Sequence, residues 1–518
     1  MGVGVHDLAG LCAGFVTSSV EHEIRGITLS DITLDSRTVA ADGLFLACAG
    51  KRTHGLAALP QALTRGARAV LWEPAAGVTP PAVPAQVVAL AVDGLSRHAS
   101  AIAARFFGEP SMALDIAGIT GTNGKTTTAW LLAQALTRCG SPTAYAGTLG
   151  VGFIPDAVVP GEHTTADAVS VQRQLAAMRA AGARCVAMEV SSHALDQHRV
   201  AAVRFRAAAF TNLTRDHLDY HGTMEAYGAA KARLFDMPGL ETCVINVDDA
   251  FGAELARRHG ASRSLVLTAR TAAGREVIED CRARGHLVHE LTATAPQAST
   301  TGISFMLESR VQGNAVVSEA VSLPLIGEFN VDNVLTTLGL LFALGVPMRS
   351  ALDALRLASS PPGRMEAIVA PGHALAIVDY AHTPDALAKA LRAARAHCAG
   401  RLHVIFGCGG DRDAGKRPLM AAVAAAMADA IVITDDNPRG ESPVGIVTDI
   451  IEGLPKNTRA TVIHDRAEAI RHALKTSREG DVVLVAGKGH EDYQILGAER
   501  RAFSDRAIVR AVYAGVTH

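Results

Sequence analysis

The stretch Gly118-Ile119-Thr120-Gly121-Thr122-Asn123-Gly124-Lys125-Thr126-Thr127-Thr128 constrains this chain more than any other. An apolar run ending in Ile116, Ala117 and Ile119 predicts a buried strand before it. From Lys125 to Arg138 the spacing predicts a helix with Leu131, Leu132, Ala135 and Leu136 turned inward. A glycine-rich turn between a strand and a helix start suits an anion. Glycines let the backbone approach closely, and the free N–H groups and dipole of a helix N-terminus favour negative charge. Lys125 adds a cation for terminal phosphates and Thr126 a hydroxyl for Mg²⁺, so the loop Gly121, Thr122, Asn123, Gly124, Lys125, Thr126 and Thr127 reads as an ATP site. The strict pattern G-x-x-x-x-G-K-[ST] would put its first glycine at position 119, which is isoleucine.

At 518 residues the chain exceeds one ordinary core, and three domains are expected. Hydrophobic residues at 49% and charged residues at 19% describe a folded chain rather than a disordered one. The 49 Lys+Arg nearly balance the 51 Asp+Glu, which leaves no electrostatic footprint for nucleic acid or an acidic membrane. The cysteines, at 12, 48, 139, 185, 243, 281, 398 and 408, show no C-x-x-C spacing and fit reduced thiols in a cytosol. Residues 1–7 lack a basic region before an apolar one, so no signal peptide is expected. The long uncharged stretch between Glu73 and Asp93 is interrupted by Pro74, Pro80, Pro81 and Pro84 and reads as a loop, not a membrane span. A cytoplasmic protein with no nucleic-acid or membrane partner is expected.

Residues 1–111 read as a small α/β or α+β domain with strands at 27–34, 44–47, 67–72 and 86–92, a helix at 95–107 and a linker at 107–111. Residues 112–360 alternate strands at 184–190, 205–212 and 242–247 with helices, which predicts a mostly parallel, doubly wound sheet that binds ligands beyond its C-terminal strand ends. Glu189 ends one such strand and leads into Ser191-Ser192-His193; Thr211-Asn212 ends the next and leads into 215–221. A β meander follows at 286–326. Asn330, opening an apolar helix, reads by itself as a helix N-cap. Residues 361–518 alternate again, with strands at 374–378, 402–406, 430–434, 460–463 and 482–486, and predict a Rossmann-like sheet. The turn at 407–413 is not G-x-G-x-x-G, so NAD is not expected. Asp436-Asn437-Pro438-Arg439 and Gly487-Lys488-Gly489-His490-Glu491 follow strand ends, where a second ligand is expected.

Taken in order, Gly121 to Thr127, Glu189-Val-Ser-Ser-His193, Thr211-Asn212 with Arg215-Asp-His-Leu-Asp219, Gly327-Glu-Phe-Asn330-Val-Asp-Asn333, Gly363-Arg364, Asp379-Tyr-Ala-His382 and Asp436 to Arg439 resemble the Mur ligases across essentially the whole chain. The resemblance implies a monomeric, cytoplasmic, three-domain enzyme of peptidoglycan precursor synthesis, serving cell wall, shape and division. Residues 1–111 would hold a UDP-sugar, 112–360 ATP and 361–518 an amino acid. It implies that ATP phosphorylates the side-chain carboxylate of the D-glutamyl residue of UDP-N-acetylmuramoyl-L-alanyl-D-glutamate, and that the amine of meso-diaminopimelate attacks the acyl phosphate.

By the same resemblance, Thr126, Glu189, His217 and Lys231 serve Mg²⁺, with Lys231 carried as a carbamate, and Lys125, Glu189, His217 and Lys231 are the catalytic set. Asn330, Arg364 and Asp379 contact ATP. Leu34, Ser36, Lys51, Arg52, Thr53, Thr164, Thr165, Ser191, Gln197 and Arg199 contact the UDP-sugar dipeptide, while Arg412, Asp436, Asn437, Pro438, Arg439, Gly487 and Glu491 contact the amino acid. Arg439 would pair bidentately with the distal carboxylate of meso-diaminopimelate, which lysine lacks. His163 and His54 stand where the family commonly has asparagine and aspartate. Folylpolyglutamate synthase shares the ATP chemistry, but the motifs at 436–439 and 487–491 and a full N-terminal domain argue against it. A nucleotide-binding regulator would not need Lys231 beside a second metal.

Overall fold

The structure, a computed structural model, describes residues 6–515 apart from 52, 156, 162, 312 and 313. The chain forms two compact units, one of Met1–Leu267, Glu276–Val288 and Gly339–Val346, the other of Thr268–Arg275, His289–Leu338 and Pro347–His518. Among the described residues no helix is long and apolar enough to cross a membrane.

The first unit begins with a parallel sheet in the order Ile32–Thr33, Gly43–Ala47, Ala67–Trp72 and Val88–Ala91. The strand expected at 27–34 is instead two. Thr28–Leu29 pairs antiparallel with His6–Asp7, and only Ile32–Thr33 joins the sheet. The polar pair Ser30-Asp31 makes the break, with Asp31 taken by Arg173 at 2.8 Å. The expected linker at 107–111 is packed rather than loose. Pro110–Ala113 forms a 3₁₀ turn, and the buried Ser111 hydroxyl accepts the Arg204 N–H at 3.2 Å.

The strands of a second sheet in this unit run in the order Ala157–Val159, Gly150–Phe153, Thr143–Gly147, Cys185–Glu189, Asp115–Thr120, Ala207–Phe210 and Thr242–Asn246. From Thr143–Gly147 to Thr242–Asn246 the pairs are parallel. The register is what assembles the site. Ile119 pairs with Glu189 and Thr120 with Phe210, so the Gly121 turn, Glu189 and Thr211 leave the sheet at one level. The hairpin at 150–159 was not expected, because its glycines dilute the apolar pattern. They are obligatory there: Gly150 and Gly152 have φ of 124° and 144°, and a Cβ on either would lie 2.2 Å from Val159 O or 1.9 Å from Ala157 O.

The second unit contains the expected meander as three long antiparallel strands, Val288–Ser299, Gly302–Val311 and Val317–Leu323. Its other sheet runs Glu366–Ile368, Leu375–Asp379, Val482–Ala486, Leu402–Phe406, Ala430–Ile433 and Thr461–Val462, parallel except for the first strand. Apolar side chains cover both faces, as continuous Val/Ile/Leu runs require. Asp379 ends one strand, while Asp436 and Gly487 follow the ends of others.

Candidate active site

The phosphate loop is clasped by the neighbouring strand end. Thr122 N donates to Asn212 O at 2.8 Å, Asn123 N to Asn212 Oδ1 at 3.0 Å, and Thr211 Oγ1 to Asn123 O at 2.6 Å. A Cβ on Gly121 would sit 1.9 Å from Thr211 Oγ1, so only glycine allows this closure. Gly124, with φ 87°, starts the helix Lys125–Arg138 as predicted. Thr126 and Thr127 lie on its first turn, where the backbone N–H groups have no intrahelical partner. Lys125 Nζ folds back to Gly121 O and Thr122 O, both at 2.9 Å.

Glu189 is fully buried beside this turn. Its carboxylate accepts from Thr126 Oγ1 at 2.9 Å, Tyr145 OH at 2.5 Å, Thr148 N at 2.9 Å and Thr148 Oγ1 at 3.2 Å. Lys231, 1% exposed, donates to Gly121 O at 2.8 Å and stands 4.3 Å from the Tyr227 ring centre. Burial first, and then the Lys125 charge, push its pKa down to about 6 against the weaker pull of Asp216. His217 has φ 52°; its backbone N–H meets Asp216 Oδ1 at 2.8 Å and its ring packs edge-on to His193, 4.9 Å between centres. Burial, then His217 and His221, lower the His193 pKa to about 4. The structure thus brings Thr126 to Glu189 and Lys231 to the loop, while His217 contacts Asp216 and His193. Among the described residues no cluster of three His, Cys, Asp or Glu side chains is arranged around a metal position.

Thr164, Thr165, Ser191, Gln197 and Arg199 join a hydrogen-bonded chain next to Glu189. Thr164 and Thr148 hydroxyls meet at 3.1 Å; Thr165 Oγ1 donates to Glu189 O at 2.9 Å and accepts Ser191 N at 3.1 Å. Arg199 donates to Thr165 O at 2.8 Å and to Gln197 Oε1 at 2.6 Å, and Gln197 reaches Tyr220 OH at 2.9 Å. These threonines, His163 and Glu189 border a cavity of about 210 Å³. Lys51 lies over the Tyr220 ring at 3.4 Å, and Ser36 is buried on Gln61 at 2.7 Å. Leu34 is half-buried on the N-terminal core, Thr53 is exposed, and Arg52 lies outside the described residues. His54 caps the turn after it: its Nδ1 accepts Leu56 N at 3.1 Å, and Nε2 donates to Glu73 O at 2.8 Å.

In the second unit, Asp379 accepts Met365 N at 2.8 Å and Ala381 N at 3.0 Å, and burial raises its pKa despite these bonds. Arg364 lies 5.0 Å from the Tyr380 ring centre. The helix Asn330–Ala343 begins at Asn330 itself. Its side chain does not cap the helix: Nδ2 donates to Ile326 O and Oδ1 accepts Asn333 Nδ2, both at 2.7 Å. Asp436, Asn437 and Pro438 are buried, Arg412 is exposed, and Gly487 N donates to Asp379 O at 3.1 Å. A Cβ on Gly487, φ 119°, would lie 2.7 Å from Asp436 Oδ2. Asn437 Nδ2 donates to Glu491 Oε2 at 3.1 Å. Arg439, φ 53°, anchors only Nη1, on Gly410 O at 2.9 Å and Asn437 O at 3.4 Å; Nε and Nη2 have no acceptor among the described residues.

Three segments match Mur ligase domains: the family's catalytic domain at 28–107, the middle domain at 119–341 and the glutamate ligase domain at 363–489. Over 482 residues the chain is 47% identical to UDP-N-acetylmuramoyl-L-alanyl-D-glutamate–2,6-diaminopimelate ligase of Pseudomonas aeruginosa, covering 93% of this chain and 94% of that protein. The chain belongs to the Mur ligase family. A Mur ligase of the same name from Alkalilimnicola ehrlichii is 48% identical over 492 residues, 93% of this chain and 94% of that one. A solved Mur ligase structure, again of a UDP-N-acetylmuramoyl-L-alanyl-D-glutamate–2,6-diaminopimelate ligase, is 34% identical, covers 95% of this chain and 96% of its own, and superposes with a TM-score of 0.69.

As a Mur ligase the chain is an ATP-dependent ligase with a three-domain, mixed α/β architecture. The buried carboxylate of Glu189 with the hydroxyls of Thr126 and Thr148 is a hard-oxygen set of the kind Mg²⁺ takes. Sequence reasoning missed Tyr145, Thr148 and Lys488. The first two carry no motif of their own and meet Glu189 only through the sheet. Lys488 stood inside a motif already singled out, and its complete burial was the missing signal.

Proposed function

We propose that this Mur ligase joins meso-diaminopimelate to the side-chain carboxylate of the D-glutamyl residue in UDP-N-acetylmuramoyl-L-alanyl-D-glutamate, as a cytoplasmic monomer divided at 1–111, 112–360 and 361–518. The observation that carries the choice of amine is Arg439. One nitrogen is anchored on backbone, so the fork is aimed, and the Nε/Nη2 edge stays open for a planar carboxylate. L-Lysine has no distal carboxylate and would leave that guanidinium unpaired.

A carboxylate oxygen of the glutamyl group attacks the terminal phosphorus of ATP and ADP leaves; the amine nitrogen then attacks the acyl carbon, loses a proton, and phosphate leaves. Both steps bring anions together, so positioning and charge neutralisation dominate. Lys125 and the N–H groups of residues 121–127 hold the phosphates. Mg²⁺, held by Thr126 and Glu189 with His217 and carbamylated Lys231, would neutralise charge on the transferring group. A Lys231 amine with a pKa of about 6 is mostly neutral at pH 7 and can take up CO₂. Asn330, Arg364 and Asp379 contact the rest of ATP. Leu34, Ser36, Lys51, Arg52, Thr53, Thr164, Thr165, Ser191, Gln197 and Arg199 contact the UDP-sugar dipeptide. Arg412, Asp436, Asn437, Pro438, Arg439, Gly487 and Glu491 contact the amino acid.

Phosphate release from ATP, with the UDP-linked dipeptide and either meso-diaminopimelate or L-lysine, tests this. Wild type turns over with diaminopimelate alone, and Arg439→Ala loses about 100-fold in kcat/KM for it, the scale of a charged hydrogen-bonded pair. Preference for lysine would remove Arg439 as selector.

A further inference from the structure

Lys488, in the motif at 487–491, lies wholly out of solvent and reaches the motif at 436–439 that follows another strand end of the second unit. Its ammonium donates to Asn437 Oδ1 at 2.9 Å, Tyr493 O at 2.8 Å and Glu491 Oε2 at 3.3 Å, and stands 3.6 Å from Asp436 Oδ1. The bond to Asn437 has a directional consequence. An amide presents its acceptor on one side and its donors on the other, so a cation on Oδ1 decides which way Nδ2 faces. Ile495 N, also on Oδ1 at 2.9 Å, reinforces the choice, and Nδ2 then donates to Glu491 Oε2.

Glu491 is thereby held by one oxygen. Oε2 takes both Lys488 and Asn437, while Oε1 has no protein donor among the described residues. The charges point the same way. Immediately around Lys488 two carboxylates, Asp436 and Glu491, face one ammonium, since the nearby Arg466 is paired with Asp505 at 2.7 Å and Arg439 is the cation assigned to the substrate's carboxylate end. That is the complement of a single ammonium.

We infer that Lys488 is a positioning residue for the amino-acid substrate: by tying down Asn437 and one oxygen of Glu491, it presents the other oxygen to the distal ammonium of a diamino dicarboxylic acid. This role rests on the reading that residues 436–439 and 487–491 hold meso-diaminopimelate. Its particular content is that Lys488 acts on the ammonium end of that substrate and not on its carboxylate end.

The test compares meso-diaminopimelate with 2-aminopimelate, which keeps the distal carboxylate and lacks the distal ammonium, in wild type and Lys488→Met. For diaminopimelate kcat/KM falls about 30-fold, mostly in KM, and for 2-aminopimelate less than about threefold, as expected when one charged hydrogen bond is lost. KM for ATP stays constant. Equal losses with both acids, or no loss with diaminopimelate, overturn the role. Should Lys488→Met fail to fold, Lys488→Gln keeps N–H donors at the buried position while removing the charge; a loss confined to diaminopimelate supports the inference, and an unselective or absent one overturns it. Wild type that does not use diaminopimelate at all overturns the proposed function first, which separates the two failures.

Discussion

Lys231 and Lys488 are buried to the same degree in different company. Lys231 meets a backbone carbonyl and an aromatic face, with Lys125 adding like charge, and its pKa falls to about 6. Lys488 meets two carboxylates and an amide oxygen. Burial by itself therefore does not decide what a lysine does; its neighbours do. One site favours the neutral amine, and the other holds an ammonium hydrogen-bonded among acidic side chains. The contrast extends to the regions around them. The phosphate loop is built from backbone groups and hydroxyls, whereas the region of Lys488 is built from buried charges, including the fully buried Arg466–Asp505 pair.

The largest effect that could break this contrast is on turnover. Lys231→Met removes an amine that has no buried carboxylate partner among the described residues, so the fold persists while phosphate release falls by about 10³-fold, the scale of deleting a charge-stabilising group in such a site. A folded variant with normal turnover would take Lys231 out of the chemistry. Arg466→Met comes next. It strands Asp505 in the core, and urea unfolding should show a loss of about 3 kcal/mol; a loss near zero would mean that the second region does not depend on its buried charges. The smallest effect is on pH dependence. Because the folded pKa of Lys231 lies below its ordinary value, the unfolded chain holds a proton that the folded chain lacks between about pH 6 and the ordinary lysine value of 10.5. Stability from this group is therefore lowest in acid and rises with pH. Thermal midpoints in carbonate-free buffers should climb for wild type relative to Lys231→Met from pH 6 upward, and parallel curves would place the amine at its usual pKa.

The helix Lys125–Arg138 was legible at its observed limits and the strand Asp115–Thr120 through its apolar residues Ile116, Ala117 and Ile119, because an apolar run, a glycine turn and a helical period are local signals. Leu402–Phe406 and Val482–Ala486 were read at their observed limits for the same reason. The hairpin at 150–159 was not, since its glycines answer to close approach by the partner strand. Asn330 was misread by itself, because its partners Ile326 and Asn333 become neighbours only once the turn has closed.

The sequence alone determined which residue types exist for the chemistry: a glycine-rich loop before a helix, carboxylates and imidazoles at strand ends, and an arginine after a strand end. Only the tertiary structure decided how they act together. The register of parallel strands sets Glu189 level with the loop, joining it to Thr126 and to Tyr145, which is 44 residues away. Packing decides which neighbours each buried lysine meets, a carbonyl and an aromatic ring for Lys231 and two carboxylates for Lys488. Both follow from long-range packing, because desolvation and distance between charges are properties of the folded volume and not of the order of residues along the chain.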